Sequence, residues 1–352
     1  MINKFKQLVP LCILISLLNS CRSESTFLEF KHPNFIERIK VKPTKLNFDK
    51  PLGAFRSMII IDSMLIVSAY DKQYVIHVFN KKDGSSIKQL LQIGNGPGEF
   101  IQMGFHVTSI DKSIYVYSPG MRLIRKYNFP KILNEMMSEE EVKFDVSLMF
   151  AEPIGDRFLA STFSKERFLL LNNKGKIVSK YNDFPRLSKN VDTNAVRKFF
   201  LNYQRVSIKP DKSKFVVTTS AGAIMQIFNI LGDSIILYKQ KGIDSPILST
   251  EKGSVGIADD ECKVGMWSIQ TTDEYIYTLY SGSKIKDLNN NNSFMADYIY
   301  IFDWQGMPVK CFEIEGGRIE RFGLDRENGR IFLYSTSKEG EQALSYFDTE
   351  SR

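Results

Sequence analysis

The sequence predicts an all-β protein: a six-bladed β-propeller of four-stranded antiparallel blades, with an N-terminal strand closing the last blade. Three observations carry this. Aromatic residues make up 12% of the 352 residues, with 26 Phe and 15 Tyr against two Trp, a bias toward strand formers. One strand-turn-strand pattern recurs six times. The last copy is one strand short, while an unassigned strand stands ahead of the first.

The chain opens MINKFKQLVPLCILISLLNSC. Lys4 and Lys6 form a short basic start, and Leu8 to Leu18 is an apolar run that suits a secretory signal and is too short to span a bilayer. Leu18-Asn19-Ser20-Cys21 resembles a bacterial lipobox, with Leu three before the Cys and a small residue directly before it. The resemblance implies cleavage before Cys21, a thioether-linked diacylglycerol on its sulfur and acylation of the new amine. Two or three acyl chains anchor stably where one is marginal. Cleavage to a soluble secreted protein is the alternative. Residues 1–20 are thus read as a lipoprotein signal peptide, 21–34 as a lipid-anchored linker and 35–352 as the propeller. Arg22, Ser23, Glu24 and Ser25 follow the Cys with no Asp among them, so inner-membrane retention is not signalled. The expected location is the envelope of a Gram-negative bacterium, anchored in the outer membrane.

The segment FIERIKVKP from Phe35 is the unassigned strand. After it, LIVSAY, IYVYSPG, RFLASTF, KFVVTTS, YIYTLYSG and RIFLYSTS begin at residues 65, 114, 157, 214, 275 and 330, spaced 43 to 61 apart. Each follows a turn such as Asp62-Ser63 or Gly155-Asp156, and upstream of the turn lies another short strand, such as FHVTSI or RFGLD. A third strand ends in Asn or Asp (VIHVFN, LIRKYN, FLLLNN, IMQIFN, YIYIFD, LSYFDT), residues that start turns well. A fourth follows, as in SIKQLLQI, KIVSKY, DSIILY and PVKCFEI. One small four-stranded sheet cannot cover both its faces, but radial stacking can. The second copy departs from the pattern: PKILNEMMSEEE favours helix, predicting a short helix over Pro130–Glu140 before VKFDV.

Charge and cysteine content exclude several classes. The net charge is +7, and loss of Lys4 and Lys6 lowers it by two, to +5. The Lys residues are spread along turns and strand edges, so nucleic acid is not expected as a partner. Cys262 and Cys311 are the only cysteines beyond Cys21. An oxidising compartment permits a bond between them, but the sequence favours two buried thiols.

Ile93-Gly94-Asn95-Gly96-Pro97-Gly98-Glu99-Phe100 resembles the G-x-GPGEF turn of bacterial TolB-like and NHL-like six-bladed propellers. DYIYIFDWQGMPVKCFEI, from Asp297, resembles the blade signature of TolB-like lipoproteins of Bacteroidota. The resemblance runs from about residue 35 to 350. It implies an exported, lipid-anchored propeller and no particular reaction.

Long loops fall on one face. Links between blades (GNGPGEFIQMG, 182–203, 241–265) and the blade-five loop SGSKIKDLNNNNSFMAD emerge together, while opposite links are mostly two- to four-residue turns. Long loops on a rigid scaffold are a usual seat of function. The candidate ligand-binding residues are therefore Arg197, Lys198, Phe199, Tyr203 and Arg205, cations beside aromatics that suit sugars, carboxylates or a peptide tail, together with Trp267 and Glu99. Each also has a plainer reading. Phe199 and Phe200 can plug the loop into the core while the cations stay solvated, Trp267 can be buried between blades, and Glu99 can belong to its glycine-rich turn. Asp259, Asp260 and Glu261 read as a solvated acidic loop, and Asn289 to Asn292 as a loop tip. Of the histidines, His32 lies in the linker, His77 within a third strand and His106 near the start of an inner strand, where packing is the favoured role. No nucleophile elbow, HExxH, phosphate loop or EF-hand pattern occurs, so no catalytic residue, metal or cofactor is expected. The expected function is capture of a protein, peptide or glycan on the long-loop face. The alternatives are a propeller enzyme, lactonase- or lyase-like, with metal or acid–base groups in the channel mouth, and a structural component of a larger envelope complex.

Overall fold

The computed structural model describes residues 27–48, 52–69, 73–101, 106–163, 166–189, 191–248, 261–288, 295–337 and 339–350. The signal peptide, Cys21, Asp259, Asp260 and Asn289 to Asn292 lie outside the described residues.

Two short strands come first, β1 (Glu37–Val41) and β2 (Thr44–Lys45). Blade one is β3 (Phe55–Ile61), β4 (Met64–Ala69), β5 (Tyr74–Asn80) and β6 (Ser86–Gln92). Blade two is β7 (His106–Ile110), β8 (Ser113–Ser118), β9 (Leu123–Asn128) and β10 (Glu140–Lys143). Blade three is β11 (Leu148–Ile154), β12 (Arg157–Thr162), β13 (Phe168–Asn172) and β14 (Ile177–Tyr181). Helix α1 (Thr193–Tyr203) leads into blade four, β15 (Gln204–Ile208), β16 (Lys214–Thr219), β17 (Ala223–Leu231) and β18 (Ser234–Asp244). Blade five is β19 (Met266–Thr271), β20 (Tyr275–Tyr280), β21 (Tyr298–Asp303) and β22 (Pro308–Ile314). Blade six contributes β23 (Ile319–Asp325), β24 (Arg330–Thr336) and β25 (Gln342–Asp348).

Every blade is a consecutive antiparallel meander. Inner hairpins close tightly where one residue takes a left-handed conformation, as at Asp62 (φ 51), Asp111 (φ 52) and Gly155 (φ 64), which matches the twist of the strands they join. The ring is closed from the N-terminus in two steps. Thr44–Lys45 pair antiparallel with β25 and supply the missing outer strand of blade six. The longer β1 reaches one blade further back and lies parallel to β22 as a fifth strand of blade five.

The core is six apolar wedges rather than one mass. Ile66, Val78, Val107 and Val116 fill the wedge between blades one and two, and Leu65, Val67, Phe332 and Leu344 that between six and one. Four further clusters fill the other interfaces, with Val41 of β1 entering the wedge between five and six. Each sheet buries both faces against its neighbours, which is why the second and third strands read as nearly continuous apolar runs. Cys262 and Cys311 are both buried and form no disulfide.

Two connections differ from expectation. The stretch expected as a helix over Pro130–Glu140 contains only a 3-10 turn at Lys131–Leu133. Its acidic end is drawn into the sheet, with Glu140 opposite Lys126 and Glu141 opposite Arg125. The run 182–203, read as a loop, contains α1, whose Asp192 side chain accepts a hydrogen bond from the Asn194 amide at 3.2 Å and caps the first turn.

Candidate functional site

The first strand of each blade lines the channel, so links into those strands and links between second and third strands share one face. Helix α1 and the longest links lie there. On the opposite face many links are two residues long, as at 62–63, 111–112, 155–156 and 232–233, with 129–139 the long exception.

Helix α1 separates residues that the sequence places together. Val196, Phe199 and Phe200 pack down onto Leu187, Ala221, Ile224 and Cys262, and Leu28 of the N-terminal segment joins them. Phe199 is only 1% exposed and offers no surface to a ligand, because helical spacing turns it toward the blades. Tyr203, half-buried, ends the helix with its ring 5.5 Å from that of Phe199, and its carbonyl accepts from Ser220 at 2.9 Å. Lys198 is exposed and Arg197 half-buried on the outer side. With Asn194, Leu201, Asn202 and Phe163 of the β12–β13 link they line a cleft of about 360 Å³. Phe163 is 62% exposed, an unusual position for a large apolar ring.

Arg205 does not share this cleft. It stands on inner strand β15 and turns into the channel mouth, where burial, then the charge of Arg56, lowers its pKa. Arg321 on β23 joins it: burial, then the charges of Arg205 and Arg56, bring its pKa down to about 10 against the opposing charge of Glu320. His106, on β7, is bonded through Nε2 to the Glu152 carboxylate of β11. Burial disfavours the charged imidazole, but the Glu152 charge and hydrogen bond outweigh it and raise the His106 pKa, with Arg205 opposing. His106 is thus half of a channel-mouth pair rather than a packing residue. Trp267 is 4% exposed and is buried in the wedge between blades five and six, its indole N–H donating to the Glu320 carbonyl at 2.9 Å.

Glu99 serves its own turn. Its carboxylate accepts from the Gly96 amide at 2.7 Å, and its amide donates to the Gly96 carbonyl at 3.1 Å. A Cβ on Gly94 would collide with that carboxylate, which is what the glycine there avoids. Phe100 is fully buried, and Arg125 of blade two lies 4.8 Å above its ring while donating to the carbonyls of Gly98 and Glu99. The motif is therefore a clamp between blades one and two.

A family model described as TolB-like 6-blade propeller-like matches residues 50–326. The chain belongs to this family. Among solved structures, this TolB-like propeller is similar to a protein of Bacteroides fragilis described as exported, with a TM-score of 0.54, 14% identity, and coverage of 92% of this chain and 100% of that one. It also aligns with the β-propeller domain of Cps50 (Swd1) from Myceliophteria thermophila, at a TM-score of 0.45, 12% identity, and coverage of 86% and 99%. No curated protein matches. At these identities the likeness to the B. fragilis protein speaks for the fold alone.

Among the described residues of the TolB-like propeller, no three His, Cys, Asp or Glu side chains gather to hold a metal ion. The channel mouth is instead built around cations. Sequence reading misses Arg56 and Arg321 because they stand over a hundred residues from Arg205 and from each other, and each resembles an ordinary strand cation. It also misses Arg167, fully buried under α1, with its guanidinium 4.5 to 5.5 Å from the ring centres of Phe168, Phe184, Phe200 and Phe228.

Proposed function

We propose that this TolB-like propeller is a lipid-anchored envelope module that captures a protein, peptide or glycan on its long-loop face. The observation that carries the reading is the cleft beside α1, where exposed Phe163 and the cations Arg197 and Lys198 stand together on a scaffold whose other face is mostly short turns. An apolar ring beside charged donors supplies both desolvation and orientation to a ligand. The N-terminal segment supports the orientation. Leu28 packs beside α1 and its amide donates to the Arg186 carbonyl at 2.8 Å, so a lipid on Cys21, seven residues away, lies within ~25 Å of this face.

Anchoring is tested by labelling with palmitate and by detergent phase partitioning of the wild type and Cys21→Ser. Loss of label and transfer to the aqueous phase in the variant are expected, and equal partitioning overturns the anchor. Capture is tested by co-purification from solubilised envelope with wild type and a Phe163→Ser/Lys198→Glu variant. A partner held by the first and lost by the second supports the cleft; an identical set of partners overturns it.

A further inference from the structure

We propose that the channel mouth is an oxyanion well, in which Arg205 and Arg321, with Arg56 at the rim, hold a carboxylate or phosphate group of the ligand. The proposal rests on the long-loop face being the working face and names the chemistry of what that face takes. The three arginines come from the inner strands of blades four, six and one, each within the first three residues of its strand. Two of these strands change register there. In β3 the shift falls between Phe55 and Ser57, at Arg56, and in β23 between Ile319 and Arg321. Such bulges re-aim side chains and recur beside binding sites.

Among the described residues neither Arg205 nor Arg321 forms an ion pair. Arg205 donates to the Gln204 carbonyl at 2.8 Å, and Arg321 to the carbonyls of Arg56 at 3.0 Å and Glu320 at 2.6 Å. Among the described residues the remaining donors of both forks make no hydrogen bond. Of the nearby carboxylates, Glu152 is taken by His106, and Glu320 hydrogen-bonds Arg321 through its backbone oxygen, its carboxylate charge offsetting the repulsion only in part. Both arginines are half-buried, deep enough for burial to depress their pKa yet open to solvent. Deeper in the channel Gln270 ties three blades together, donating to the Met58 and Phe322 carbonyls at 3.0 and 2.9 Å and accepting from the Leu324 amide at 3.0 Å. This builds part of a floor. Enclosed like charges repel, and planar forks with free donors match a carboxylate or phosphate. An arrangement that costs stability when empty is relieved when an anion enters.

Thermal unfolding of the full chain in detergent, with citrate or pyrophosphate against sodium chloride at matched ionic strength, tests the well. The melting temperature is expected to rise by about 2 °C for each tenfold excess over Kd, and whichever probe acts at lower concentration tells carboxylate from phosphate. Arg205→Gln and Arg321→Gln are each expected to weaken the anion, read by calorimetric titration, by about tenfold or more, with an unchanged or higher melting point in its absence. No response beyond matched salt in the wild type overturns the proposal, as does a response that survives both substitutions together. If the double variant does not fold, Arg205→Lys decides: it keeps the charge, loses the fork, and is expected to bind less tightly at an unchanged melting point, equal binding overturning the well. Phe163→Ser/Lys198→Glu leaves the anion response intact. Failure of the well with partner capture still dependent on the cleft therefore refutes the well alone, and the reverse refutes the cleft alone.

Discussion

Arg167 illustrates how much one side chain holds on this face. Its guanidinium is stabilised by aromatic rings and by the amide oxygens of Gln226 at 2.6 Å and Gln204 at 3.3 Å, with a third bond to the Asp183 carbonyl at 3.1 Å. Burial lowers its pKa to about 9, which leaves it cationic at neutral pH. Arg167→Ala is expected to cost about 3 kcal/mol in urea unfolding, from the cavity and the stranded amide oxygens. Arg167→Met is expected to recover most of that by filling the volume without a charge to desolvate. His106 gives a pH signature. Its folded pKa lies above the usual value of 6.5, so the stability it contributes is fully present below about pH 6.5 and is lost as pH rises through the raised value. The groups that set this are Glu152, which raises the pKa, and burial and Arg205, which lower it. Urea midpoints taken from pH 5.5 to 8.5 should fall with rising pH in the wild type, and that component should vanish in His106→Gln.

At the scale of elements, the glycine-rich turn and α1 differ in how far the sequence reveals them. The turn is legible because its chemistry is local: Gly94, Gly96, Pro97, Gly98 and Glu99 specify one another within six residues. Gly94→Ala and Glu99→Ala are each expected to cost about 1 kcal/mol, and the double variant little more than either alone, since both remove the same contact. A double-mutant cycle with additive losses would separate the two residues. Helix α1 carried a readable signal, the Asp192 cap followed by buried positions 195, 196, 199 and 200. An alternation-based search for strands passes over that spacing. The opposite error occurs at Pro130–Glu140, where helix propensity yields to the open edge of β9, which needs a partner more than the Glu-rich stretch needs a helix. The two halves of the candidate site diverge in the same way. Arg197 and Lys198 were visible as a cluster in the chain, whereas Arg56, Arg205 and Arg321 meet only through closure of the ring.

For the whole molecule, architecture was legible because the pattern repeats: six copies average away local ambiguity, and the missing strand in the last copy announces closure. How the closure is divided between blades five and six was not legible, since β2 is two residues long and carries no pattern of its own. With apolar wedges in a ring, each blade's stability depends on both neighbours. Deleting residues 27–45 is therefore expected to lower the melting temperature of the entire domain and to broaden the transition, measured by calorimetry, rather than to unfold blade six alone. A sharp transition at the wild-type temperature would show that the ring holds without its leading strands.

The parallel alignment of β1 with β22 has a mechanical consequence. Once the contacts of Leu28 and Phe30 with the α1 face and Gly242 have given way, traction along the axis of β1 loads its five paired positions, from Glu37 opposite Lys310 to Val41 opposite Ile314, which must slide together instead of peeling one at a time. The seam of the ring is loaded in shear, the direction in which a strand resists a tug best, and the two-residue patch behind it is sheltered until that grip gives way.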